Sequence, residues 1–251
     1  MKKLLKALAA FSVVLTMGAA QGALIDRGGG LIYDDILKVT WLSNANLGAG
    51  SSFDDGVSSV DGLMSWQNAM NWAFSLSFYD SVRGVYYNDW RLPHALPANG
   101  VSYAYTIAYD GSTDQGWNIT GTQAELSHMF YVGLGNIGTR DTAGNYPSGA
   151  GLVDDPANPN DESLFVNIGS AYWTATTYNG PDVSTVPHAW DFAMAGGAQV
   201  RGFKLGADHY AWAVRDGDVA TIPEPATLAL VGAALLGAVA TRGRKSVSPT
   251  A

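Results

Sequence analysis

Apolar positions recur along this chain with two different periods. Between Met64 and Phe78 the run MSWQNAMNWAFSLSF places Trp66, Ala69, Met70, Ala73 and Ser77 three or four residues apart. That is the period of a helix with one buried stripe, and Ser65 or Asp61 stands where a cap would. Thr122-Gln123-Ala124-Glu125 reads as a capping box ahead of Leu126, Met129 and Phe130, which predicts a second helix. Later the period falls to two. AYWTATTY sets Trp173 and Ala175 against Tyr172, Thr174 and Thr176. HAWDFAM carries Trp190, Phe192 and Met194 on one side, and HYAWAVRDG carries Tyr210, Trp212 and Val214. Such runs joined by glycine turns, here Gly196-Gly197, predict an antiparallel sheet. Near the start, LIYDDILKVTWL predicts short strands at Leu31–Tyr33 and Lys38–Leu42 about the acidic turn Asp34-Asp35. The segment from Ile137 to Ser163, rich in Gly, Asn, Asp and Pro, is long enough to be either functional or mobile. Strand, helix, helix, long loop and then strands is an α+β order.

Both ends of the chain break this pattern with one-sided apolar runs. Lys2, Lys3 and Lys6 precede an apolar stretch from Leu8 to Met17 and then small residues, the layout of a secretory signal peptide cleaved after Ala20 or Gly22. At the other end Ala226 to Ala240 holds no charge, and Arg242, Arg244 and Lys245 follow at once. Fifteen helical residues cover roughly 22 Å, and adding Pro225 and Thr241 brings the run to the low end of what spans a bilayer. The basic cluster would stay cytoplasmic, leaving the preceding domain outside. The boundaries expected are a signal peptide at 1–22, one domain at 23–221 and a sorting tail at 222–251, with a transmembrane segment at about 226–241.

Charge changes the list of partners. The whole chain has 14 basic and 22 acidic residues. Setting aside Lys2, Lys3 and Lys6 and the tail's Glu224, Arg242, Arg244 and Lys245 leaves eight basic and 21 acidic residues, a net of −13. Such a domain repels phosphate backbones, so nucleic acid is not an expected partner. The absence of cysteine excludes disulfides and thiolate chemistry. His94, His128, His188 and His209 show no metal-binding spacing, and no nucleophile elbow or phosphate loop occurs. No catalytic residue and no cofactor is assigned. A carboxylate pair for glycoside hydrolysis stays open, because sequence does not show separation in space.

One loop supplies the oxygen-bearing residues that calcium takes: Asp154, Asp155, Asn158, Asn160, Asp161 and Glu162 in DDPANPNDES. A solvated acidic loop is the alternative.

Two resemblances follow from quoted residues. Pro223-Glu224-Pro225, the apolar run, and Arg242, Arg244 and Lys245 resemble the PEP-CTERM sorting signal of exported proteins in Gram-negative bacteria that make extracellular polysaccharide. The resemblance implies processing by an exosortase, transient anchoring in the inner membrane, and a final place at the cell surface or in the extracellular matrix. The central domain carries Trp90-Arg91-Leu92-Pro93, Tyr172-Trp173-Thr174 and Val214-Arg215, and resembles the C-terminal domain family of the collagen-like adhesin Lcl. That implies a C-type-lectin-like fold related to the sulfatase-modifying domains, with a mostly antiparallel sheet and two helices. In that family a Glu-Leu pair follows the Arg-Leu-Pro turn closely. Here Glu125-Leu126 lies some thirty residues downstream, so residues 96–121 read as an insertion. Trp90, Arg91, Leu92, Pro93, Tyr172, Trp173 and Arg215 are expected to serve structure, with Arg91 pairing to a carboxylate or to backbone carbonyls.

The function expected is a non-catalytic surface or matrix protein that binds polysaccharide, as in a biofilm, or another matrix component. A structural matrix protein without a specific ligand and an exported hydrolase are the alternatives.

Overall fold

The fold is described from a computed structural model, which covers residues 24–152, 164–181, 186–206 and 209–219. Two mostly antiparallel sheets and a buried cluster of tryptophans carry it. The first sheet begins with β1 (Leu24–Asp26), β2 (Leu31–Asp34) and β3 (Val39–Leu42). β3 starts one residue later than its pattern predicts, because Lys38 sits at φ 58° in the tight turn that Asp34 caps. The carboxylate of Asp34 accepts the N–H groups of Ile36 and Leu37. The last strand of the domain returns to this sheet: β11 (Val214–Asp216) pairs with β3, Arg215 opposite Thr40.

Helix α1 (Trp66–Ser75) forms where the three-four spacing predicts it, and Ser65 rather than Asp61 caps it by accepting the N–H of Asn68. Ala69, Trp72 and Ala73 face the core. A hairpin follows, β4 (Phe78–Asp80) with β5 (Val85–Tyr87). The chain then runs through Trp90–Pro93 and into the segment read as an insertion. That segment adds two short parallel strands, β6 (Ile107–Ala108) and β7 (Gln115–Gly116), to the second sheet.

The second helix differs from expectation. α2 (Glu125–His128) is one turn long, its N-cap is Ala124 with no side-chain cap, and it runs into a π-helical turn at Met129–Gly133. Thr122 does not close a capping box, because the Glu125 carboxylate points to Arg91 instead. Leu126, Met129 and Phe130 are nonetheless buried in the main core.

The second sheet has the order β6-β7-β10-β9-β8, with β8 (Tyr172–Tyr178), β9 (His188–Ala193) and β10 (Ala198–Phe203) antiparallel. Burial here does not alternate as simply as the sequence does. Tyr172, Trp173 and Thr174 are all buried, as are Ala189 to Phe192, because both faces of these strands are covered. The final apolar run is strand only from Val214 onward, and Ala211, Trp212 and Ala213 are buried around it. The fold is thus α+β, mostly β, with two helices and mostly antiparallel sheets.

Candidate functional site

Trp90-Arg91-Leu92-Pro93 lies at the junction of the two sheets. Trp90 and Leu92 are buried, and the Trp90 indole donates to the Tyr87 carbonyl at 2.9 Å. Arg91 exchanges both backbone hydrogen bonds with Val214 of β11. Its guanidinium grips Glu125 through two bonds, 2.7 and 2.8 Å, and reaches Asp216 at 2.6 Å. Glu125 also accepts the N–H of His94 at 2.6 Å. The Glu-Leu pair therefore meets the Arg-Leu-Pro turn in space although thirty residues of sequence separate them. Burial, and then the Arg91 cation, push the His94 imidazole below its usual range. Pro93 accepts the N–H of Ala175 at its carbonyl, joining the turn to β8. Arg215 forms a two-bond pair with Asp89, both at 2.8 Å, and its guanidinium lies 4.4 Å from the Tyr87 ring centre.

Tyr172 and Trp173 are fully buried. The Tyr172 hydroxyl accepts the Gly169 N–H at 2.5 Å, and burial pushes the phenol far above its usual range. Trp173 donates to the Met64 carbonyl at 2.8 Å, and His209 stacks on its ring at 4.2 Å. His209 Nε2 lies 3.5 Å from Asp191 Oδ1. Among the described residues, no group of three or more His, Asp or Glu side chains could hold a metal ion. The calcium loop, Asp154, Asp155, Asn158, Asn160, Asp161 and Glu162, lies outside the described residues. So do Pro223, Glu224, Pro225, Arg242, Arg244 and Lys245.

A surface groove among the described residues is formed largely by side chains the sequence did not single out. Segment 96–121 leaves from beside β8, where Ala95 donates to Thr176 Oγ1. It crosses the outer face of the sheet over Trp190 and rejoins on the far side at β7. Asp114 pins the crossing: its buried carboxylate accepts the N–H groups of Ala98 and Ala104 at 2.5 and 2.7 Å. Tyr105 then lies parallel to Trp190, 3° between the rings at 6.0 Å, and edge-on to Tyr178 at 5.1 Å. Tyr105, Thr106, Tyr178 and Pro181 line an open groove of about 450 Å³. Arg201 flanks it, donating to the Tyr178 hydroxyl at 3.3 Å. Burial, and then the Asp114 carboxylate, raise the Tyr103 and Tyr105 phenols, so both stay neutral. The same segment, 96–121, also holds Leu96, Val101, Ile107, Tyr109, Trp117 and Ile119, so Tyr103 and Tyr105 do not stand out in the sequence.

The chain carries a PEP-CTERM protein-sorting motif at residues 221–245, the mark of exported proteins processed by an exosortase. No curated protein and no solved structure matches the chain.

Proposed function

We propose that this chain is a non-catalytic, lectin-like surface or matrix protein that takes a neutral polysaccharide segment in the groove of Tyr105, Thr106, Tyr178 and Pro181. One observation carries the reading: an open groove where the part-exposed Tyr105 ring, Thr106 and Pro181 meet solvent over the buried ring of Tyr178. Sugar rings present apolar C–H faces that stack on aromatics, and edge hydroxyls that pair with phenols and amides. The pairing of the domain's first sheet with its last strand, the two helices and the Trp-Arg-Leu-Pro junction support the lectin-like reading. On this reading a signal peptide at 1–22 exports the chain. The tail then holds the precursor in the inner membrane until an exosortase acts near Pro223-Glu224-Pro225, and the domain ends at the surface or in the matrix.

The test is a pull-down on the polysaccharides of the producing cell, with and without EDTA, comparing the wild type with Tyr105→Ala. Saturable binding that drops about tenfold in Tyr105→Ala, with an unchanged far-UV spectrum, is expected; a tenfold loss equals about 1.4 kcal/mol. Wild-type binding unaffected by Tyr105→Ala would remove the groove. Binding that survives both EDTA and deletion of residues 154–162 would remove calcium. Binding to none of the polysaccharides would leave the structural-protein reading.

A further inference from the structure

The end of the described domain is not placed at random with respect to charge. Five of the eight basic residues between the two terminal segments gather around the point where the chain leaves at Val219: Arg27, Lys38, Arg83, Arg91 and Arg215. Arg27 pairs with Asp218 at 2.5 Å, and Arg215 reaches the Asp218 carbonyl. The Lys38 carbonyl accepts the Gly217 N–H, and Arg91 holds Asp216. A domain with a net charge of −13 has therefore concentrated its cations, and neutralised several of its carboxylates, at the exit.

The β4–β5 hairpin adjoins this exit. Arg83 donates to the Arg27 carbonyl at 2.9 Å, and Tyr87 lies under Arg215. The two charges between Phe78 and Tyr87 are Asp80 and Arg83, paired with each other at 2.7 Å and withdrawn from solvent. What the hairpin shows to water is Tyr79 and Tyr86, side by side at 4.8 Å and 50% and 64% exposed, with Val82 and Val85 beside them.

We propose that this hairpin is the membrane-facing surface of the anchored precursor, with Tyr79 and Tyr86 seated at the headgroup boundary of the bilayer. The inference rests on the anchoring reading given above. Between Val219 and Ala226, where the uncharged run begins, seven peptide steps span at most ~25 Å fully extended. The exit side of the domain is thereby held near the bilayer, and the uncharged, aromatic element on that side is this hairpin. Tyrosines are favoured at that depth because the ring is apolar and the hydroxyl stays wet.

The chain has no cysteine, so one cysteine can be introduced and labelled without background. The experiment places an environment-sensitive fluorophore at Val82→Cys, Tyr86→Cys, Val57→Cys, Val101→Cys or Ala234→Cys in the full chain. Each variant is reconstituted in phosphatidylcholine vesicles with and without a nitroxide-bearing lipid. Loss of most of the emission at positions 82, 86 and 234, with little loss at 57 and 101, is the expected result. Quenching at 234 but not at 82 and 86 overturns the hairpin proposal and leaves the anchor intact. No quenching at 234 overturns the anchoring reading, and this one with it. Equal quenching at 57, 101 and 86 overturns it as nonspecific adsorption. Quenching between labels on two chains, independent of nitroxide lipid, overturns it in favour of a second copy covering the hairpin.

Discussion

Two tryptophans fasten the start of α1 to β8 crosswise. The Trp66 indole donates to the Thr174 carbonyl, and the Trp173 indole donates back to the Met64 carbonyl, both at 2.8 Å. A third, Trp212, donates to the Leu42 carbonyl at 2.8 Å. In a chain without disulfides these bonds join segments more than a hundred residues apart, inside a core where an unmet carbonyl is costly. Trp173→Phe is expected to cost about 2–3 kcal/mol, from lost volume and the lost buried hydrogen bond to the Met64 carbonyl. Urea denaturation of the purified domain reads it as a lower midpoint at unchanged slope. Arg91→Ala strands the buried Glu125 carboxylate and should cost about 3 kcal/mol, and Arg91→Lys should recover only part, since an ammonium cannot make the two-bond grip. Asp34 behaves oppositely. Burial, acting against the N–H groups of Leu37 and Ile36 and the nearby His128, raises its carboxyl above the usual 3.8. A group whose folded-state value is raised destabilises the fold in its charged form, and that penalty disappears as pH falls through the folded value. Asp34→Asn keeps an oxygen for Ile36 and Leu37 and is therefore expected to be more stable than wild type at pH 7. The difference should shrink in acid when thermal midpoints are followed against pH.

At the scale of elements, close approach decides what the strands tolerate. A Cβ on Gly202 of β10 would sit 2.6 Å from the Trp173 ring and 2.8 Å from Asp191 Oδ2. Gly202→Ala should cost about 1–3 kcal/mol through overpacking, seen as a lower thermal midpoint. The β4–β5 turn is held by Asp80. Burial opposes its charge, yet Arg83 and the N–H groups of Val82 and Arg83 together hold the carboxyl below 3.8. The stability this contributes is complete above the unfolded value and is lost as pH falls through the folded one. Asp80→Asn should thus lower stability at neutral pH and flatten the acid limb of the stability profile.

Helix α1, the first hairpin and the strands β8 and β9 were legible, since each depends on a local period, whereas β10 was not read as a strand and the run from His209 is strand only from Val214. The meeting of Arg91 with Glu125 had a residue-level cue in the Arg-Leu-Pro turn, but the length of chain between them hid it. Thr122 and Glu125 matched a capping box because the spacing is right. The match failed because a nearby guanidinium offers the carboxylate a stronger partner than a backbone N–H. The groove was illegible for a different reason: its walls, Tyr105 and Tyr178, belong to segments 73 residues apart and meet only through the sheet.

For the whole molecule, the sorting motif at 221–245 is the most specific statement the chain makes about itself. Its apolar run and basic cluster were readable because a membrane signal depends on composition over a window and not on tertiary contacts. Replacing Pro223, Glu224 and Pro225 by alanine while leaving the apolar run intact is expected to trap a full-length precursor in the inner-membrane fraction. Immunoblotting of fractionated cells checks it, and a processed, surface-exposed product from that variant would show that the Pro-Glu-Pro residues are dispensable.

The pairing of β3 with β11 has a consequence for timing. Thr40 pairs early with Tyr33 of β2, but its partner on the other side, Arg215, arrives only 175 residues later in the chain. A protein threaded outward from its N-terminus would hold that sheet edge open through most of its passage, and pairings this distant form slowly. On the anchored reading the apolar run at Ala226 follows β11 by only ten residues. The last strand would then add as the tail engages the bilayer, so that closing the fold and halting translocation are nearly the same event. A chain cut before Val214 should emerge with an exposed β3 edge and aggregate.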